Sequence, residues 1–152
     1  YRQSGKISGI QIADREGNPG TEFGIGEHFT VKFIAKVPEH VQKIVAGLEI
    51  SSLDGQKLLN IRSDGQGVVF DKSPDSDNIL FIVNIPGLPL YPGIYLMDPW
   101  FAEYRGSRID QINNQLKISI HSKGLLQSEK LIQPGRGVLL LDCQWTHECL
   151  EQ

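Results

Sequence analysis

Between residues 28 and 37 the chain reads HFTVKFIAKV, and apolar side chains take every second position: Phe29, Val31, Phe33, Ala35 and Val37. Side chains alternate across a strand, so this order puts one face in a core and leaves Thr30, Lys32 and Lys36 on the other. The same period returns at Ile44, Ala46, Leu48 and Ile50, at Ile79, Phe81, Val83 and Ile85, and at Leu116, Ile118 and Ile120. No segment carries a helical period. A chain of this kind buries its apolar faces by packing sheet on sheet. The turn residues agree: Asp54-Gly55 is a hairpin signal, and Pro38, Pro86-Gly87 and Pro92-Gly93 punctuate the apolar runs.

Strands are therefore expected over residues 6–14, 28–37, 43–51, 57–62, 79–85, 94–97, 115–121 and 137–145, with a short strand or edge at 68–70. Gly9 inside the first predicts a bulge or a close backbone approach. Residues 21–27, 63–67 and 71–77 read as connections. From 99 to 114 the pattern breaks down, and 125–132 has room for one or two helical turns. About eight strands with regular turn signals predict an all-β, antiparallel β-sandwich. Its expected core includes Phe29, Val31, Phe33, Leu48, Ile50, Phe81, Val83, Tyr95, Ile118 and Trp145. Tyr95 follows the turn Leu90-Tyr91-Pro92-Gly93, as in the tyrosine corner of Greek-key sandwiches, which marks it as scaffold.

The chain has 152 residues, one domain's length, and a formal charge of −3 without a basic cluster. Nucleic acid is excluded as a partner on that ground, because phosphate binding needs concentrated positive charge. No apolar run approaches the ~20 residues that span a bilayer. The chain begins at Tyr1 without Met, which reads as a domain excised from a longer protein. Residues 1–5 are then linker, and 6–152 one domain. Cys143 and Cys149 lie too far apart to bridge if the segment between them is extended, roughly 20 Å.

Catalytic signatures are scarce. There is no GxSxG elbow, no HExxH and no phosphate loop. Cys143, His147 and Cys149 lack a fourth ligand and metal-site spacing. Asp71, Asp75, Asp77 and Asn78 offer oxygens for Ca²⁺ but read as a solvated acidic loop. Asp98, Glu103 and Asp110 are the carboxylates available for glycoside hydrolysis, with nothing in their spacing to favour it. No catalytic residue, metal or cofactor is expected. The informative segment is 91–110, which holds five of the twelve aromatic residues beside several charges. Sugars stack on rings and bond planar amide, carboxylate and guanidinium groups. In a loop after the Tyr95 strand, Trp100 or Tyr104 would be the stacking platform, with Asp98, Glu103, Arg105 and Arg108 as polar contacts. The competing reading has Trp100 and Phe101 plug the end of the sandwich. If the loop is not the contact, the solvated sheet face around Asn60 and Arg62 is the next candidate.

The ordered set GIQIAD, GIGE before HFTVKFIA, LEISSLDGQKLLN, FIVNIPGLPLYPGIYL and the closing GRGVLLLDCQW resembles the C-terminal domain of Wzt-type ATP-binding subunits of O-antigen polysaccharide ABC transporters. The match runs from Lys6 to Trp145. The resemblance implies an immunoglobulin-like β-sandwich that binds the exported O-antigen polysaccharide without catalysis, some relatives reading a modified non-reducing end. It implies a place on the cytoplasmic side of the inner membrane, held there through a nucleotide-binding domain and a permease. It also implies a homodimer that exchanges its last strand, with Gly135-Arg136-Gly137 as hinge. Ligand residues do not carry over, because 98–114 follows no family pattern; those choices rest on chemistry. The alternatives are a dimerising sandwich without sugar binding and a small sugar-active enzyme.

Overall fold

The computed structural model describes residues 5–124. The strand at 137–145, Trp145, the glycine hinge, the helical turns at 125–132 and the two cysteines lie outside the described residues. Ten strands follow one another: β1 (Ile7–Asp14), β2 (Glu22–Ile25), β3 (Phe29–Lys36), β4 (Lys43–Ser52), β5 (Lys57–Arg62), β6 (Phe70–Asp71), β7 (Asn78–Ile85), β8 (Gly93–Glu103), β9 (Arg108–Gln111) and β10 (Lys117–Gly124). They form two sheets among the described residues. One has the order β1-β3-β7, and the other β2-β10-β8-β4-β5, with β6 also on β4 and β9 also on β8.

The alternation seen in the sequence sets the packing. Phe29, Val31, Phe33 and Ala35 of β3 face Ile44, Ala46, Leu48 and Ile50 of β4 across the sandwich, and all eight are buried in one core. Tyr95, Met97 and Phe101 of β8, with Ile118 and Ile120 of β10, complete the second wall. The rings of Phe33 and Phe81 lie 5.3 Å apart at 46°, a tilted pair that fills the middle. Val83 is only half-buried, because β7 is an edge strand of its sheet among the described residues. Gly9 has φ +59° and sits where the register of β1 on β3 shifts, so the bulge is real. A side chain there would lie 2.9 Å from Ile34 Cδ1.

β7 and β8 belong to different sheets, so the Pro/Gly segment between them carries the chain across the sandwich. The Tyr95 hydroxyl donates to the Tyr91 carbonyl at 2.5 Å, fixing that crossing as a tyrosine corner does. Two expectations need correction. Residues 21–27 include β2, a short strand at the edge of its sheet among the described residues, whose burial alternates through Phe23 and Ile25. β2 runs parallel to β10, while the other strand pairings among the described residues are antiparallel. It arrives by crossing from β1 rather than through a hairpin, and this path sets its direction. Residues 98–103 do not form a loop but continue β8 as its second half.

Pro99 made that half look like a strand end, since proline has no N–H to give a ladder. Here the missing N–H falls in a gap. Met97 donates to the Leu116 carbonyl, and by alternation position 99 faces the same side. There β10 has stopped pairing and β9 has yet to begin: β10 pairs with residues 93–96, and β9 with 100–102. The Pro99 carbonyl still accepts from Ile112 at 3.0 Å.

Candidate functional site

β4 and β8 are the central strands of the larger sheet, and both are buried on both faces. Their inner residues are apolar. Their outer residues are Val45, Gly47, Glu49 and Ser51 on β4, and Leu96, Asp98, Trp100 and Ala102 on β8. Glu49, Ser51 and Asp98, the buried polar residues among the described ones, all lie on this outward face. Buried polar groups must find partners or cost stability, so their clustering calls for an account.

Trp100 is the floor. It has no exposed surface. Gly47, opposite it on β4, makes the space: a side chain at 47 would lie 2.5 Å from the indole and 2.4 Å from the Ile61 carbonyl. The indole Nε1 donates to Asn60 Oδ1 at 3.1 Å. The guanidinium of Arg108 lies 4.1 Å from the ring centroid, and that of Arg62 lies 5.0 Å away. Such cation–π contacts shield an aromatic surface that would otherwise face water. Trp100 thus has no free face for a sugar. The plug reading holds for it, on the outside of a sheet rather than at the end of the sandwich. Phe101, its neighbour, points into the main core.

Glu49 organises the polar layer. Its Oε1 accepts from Arg108 at 3.0 Å, its Oε2 accepts from Gln111 at 3.1 Å, and Lys57 Nζ stands 3.7 Å from Oε2. Gln111 also accepts from Arg108 through its amide oxygen. Burial pushes the Glu49 carboxyl up. The hydrogen bonds from Arg108 and Gln111 and the charges of Lys57 and Arg108 outweigh it, holding the group below the usual range. Directly opposite on β8 stands Asp98. One of its oxygens accepts from the backbone N–H of Asn114 at 2.9 Å. Burial raises this carboxyl above its usual value and the Glu49 charge adds to the rise, against the Asn114 bond and Lys57. Asn114 has φ +59°, a conformation asparagine tolerates better than most residues. Arg62 closes one side, forked on Asp64 at 3.0 and 3.1 Å.

The six residues chosen from the sequence fall into two groups. Asp98, Trp100 and Arg108 meet on this face. Tyr104 and Arg105 stand at the turn after β8, the guanidinium 5.1 Å from the ring centroid, with Tyr104 packed against the Val45, Trp100 and Ala102 cluster. Glu103 sits at the end of β8, its backbone N–H bonded to the Ser107 carbonyl. Asp110 lies apart: its Oδ2 accepts the backbone N–H groups of Lys6 (2.7 Å) and Ile7 (3.1 Å), tying β9 to the start of β1. Asn60 and Arg62, the alternative to the loop, belong to the same face; so do Glu49 and Gln111, which were not singled out. The signal for Glu49 was available, a lone carboxylate in the apolar run 44–50. Of the acidic loop, Asp71 pairs with Lys43 and Asp77 with Lys72, each at 3.0 Å. No group of three metal-binding side chains occurs among the described residues.

What the face offers is a flat polar layer of carboxylate, amide and guanidinium heads over a buried indole. Such planar groups suit a ligand rich in hydroxyls.

No curated protein matches the chain. Among solved structures, the crystal structure of the C-terminal domain of Wzt superposes with a TM-score of 0.72 at 16% identity, covering 95% of this chain and 86% of that one. At that identity the likeness speaks for the fold. A β-glucosidase from Listeria innocua in complex with gluconolactone reaches a TM-score of 0.42 at 9% identity, covering 76% of this chain and 15% of that one, too loose to carry any argument. The model of the Wzt C-terminal domain family matches residues 2–131, most of the chain. The chain therefore belongs to the Wzt C-terminal domain family, which is associated with O-antigen ABC transporters.

Proposed function

We propose that the domain binds the O-antigen polysaccharide handled by such a transporter, without catalysis, and that the outer face of β4, β5, β8 and β9 is the contact. The observation that carries this is the gathering of Glu49, Ser51 and Asp98 on one outward face. A sandwich needs no buried carboxylates on its outside to stay folded. Glu49 instead holds Arg108 and Gln111 by hydrogen bonds, with Lys57 3.7 Å away. Preset polar heads cut the ordering cost of binding a flexible sugar chain. An open site of this kind binds weakly, around micromolar to millimolar, because water competes for each hydroxyl. In this reading the domain works on the cytoplasmic side of the inner membrane, beside a nucleotide-binding domain and a permease.

The test is calorimetric titration with the O-polysaccharide purified from the strain that encodes the chain. Gln111→Ala, which breaks the Glu49 network at a half-exposed position, should weaken binding severalfold and leave the fold intact. Unchanged binding in a well-folded variant would move the contact elsewhere. The alternative is a dimerising sandwich without sugar binding. It draws on Leu80 and Ile82, 54% and 53% exposed on the edge strand β7. No binding together with a stable dimer in sedimentation would favour it. A homodimer is also compatible with sugar binding, and we include it in the proposal.

A further inference from the structure

We infer that Asp98 contacts the ligand as a hydrogen-bond acceptor, so that the centre of this face takes a neutral sugar unit through its hydroxyl groups and does not read an anionic substituent. This rests on the reading of the face as the polysaccharide contact. Asp98 is 6% exposed, yet only one of its oxygens is bonded, to the backbone N–H of Asn114. The other has no hydrogen-bond partner among the described residues. A buried carboxylate oxygen without a partner is costly, and a ligand donor is what would satisfy it.

The two arginines around it are already engaged. Arg62 gives its fork to Asp64, and Arg108 spends its charge on Glu49 while its plane covers Trp100. Lys57, 3.7 Å from Glu49 and largely exposed, is a point charge without a fork. Recognition of a phosphate or carboxylate by arginine needs a free fork, and among the described residues the centre of the face has none. An anion placed there would meet Glu49 and Asp98, side by side across β4 and β8. Lys117, paired with Leu96, and Arg105, on the turn after β8, carry charge at the two ends of the face, away from this centre. A sugar hydroxyl brings the donor that Asp98 lacks and no charge to be repelled.

The sign of one substitution separates the two ligand chemistries. Asp98→Asn keeps an oxygen for the backbone N–H of Asn114, removes the acceptor charge and relieves the repulsion with Glu49, so the variant should fold. Titrated with the same purified O-polysaccharide, it should bind at least tenfold more weakly than the parent, the loss of a charge-assisted hydrogen bond. The parent's own Kd should change less than twofold between about 20 mM and about 500 mM NaCl, since a neutral ligand leaves little for salt to screen. Equal or tighter binding by Asp98→Asn, or a tenfold loss of parent affinity in high salt, would overturn the inference. If Gln111→Ala still weakens binding in that case, the face stands and only the ligand chemistry is wrong. If both variants bind like the parent, or the polysaccharide does not bind at all, the reading of the face falls and this inference with it.

Discussion

Trp100→Ala distinguishes a buried floor from an exposed platform. The side chain has no exposed area, and it holds one hydrogen bond to Asn60 and two guanidinium contacts. Truncating a buried tryptophan costs about 3–5 kcal/mol. In a domain of this size each 1 kcal/mol lowers Tm by roughly 2–4 °C, so the variant should melt about 6–20 °C lower. Urea titration followed by circular dichroism should show a lower midpoint with an unchanged slope. Gly47→Ala attacks the same contact from the other strand, because its new methyl would lie 2.5 Å from the indole. Overpacking of this sort costs about 1–3 kcal/mol or more. In the double variant the methyl enters space the indole has left, so the two losses should fall short of their sum by roughly 0.5–3 kcal/mol. The clash with the Ile61 carbonyl persists in both backgrounds and drops out of that difference. A Trp100→Ala loss below about 1 kcal/mol would show the ring to be exposed in solution and refute the packing described for this face.

Phe33→Ala should cost about 3–5 kcal/mol in the same titration, since Phe33 is fully buried between the sheets. Tyr95→Phe removes the bond to the Tyr91 carbonyl and should cost about 1 kcal/mol, with no effect on sugar binding. Asp98→Asn should alter stability in a pH-dependent way. The folded-state value of Asp98 is raised, so its contribution falls as pH rises through that value, and the ionised group is a burden at neutral pH. The variant should gain on the parent as pH rises from about 4 to about 7, first because it carries no buried charge and second because the repulsion with Glu49 is relieved; the like-charge part alone is roughly 0.2–1 kcal/mol. A gain that shrinks with rising pH would contradict the assignment.

Much of the sandwich was legible because strand periodicity is a local property. The alternation in 28–37 fixed which face of β3 is buried, and Gly9 announced its bulge through its residue type alone. The tyrosine corner was readable for the same reason: its donor and acceptor are four residues apart. The second half of β8 was not readable. Proline there argues for a strand end unless the neighbouring strand has a gap at that point, and a gap between β9 and β10 is a tertiary fact. The site was half legible. Asp98, Trp100 and Arg108 were picked out for their chemistry, but their cross-strand partners come from registers that bring residues 49, 60 and 111 together from distant parts of the chain. Trp100 could be read as platform or plug because its cover, Arg62 and Arg108, is made of residues that a sequence reading counts as solvent-facing. Long cations lying flat on a ring hide it as effectively as apolar side chains do.

The central claim is that the outer face of the larger sheet carries the polysaccharide. The most direct measurement is the change in backbone amide resonances of the isotopically labelled domain as the purified O-polysaccharide is added. The account predicts shifts concentrated at Glu49, Asn60, Arg62, Asp98, Arg108 and Gln111, with β1, β3 and β7 quiet. Shifts concentrated on the outer face of β1, β3 and β7, around Lys32, Leu80 and Ile82, would contradict it.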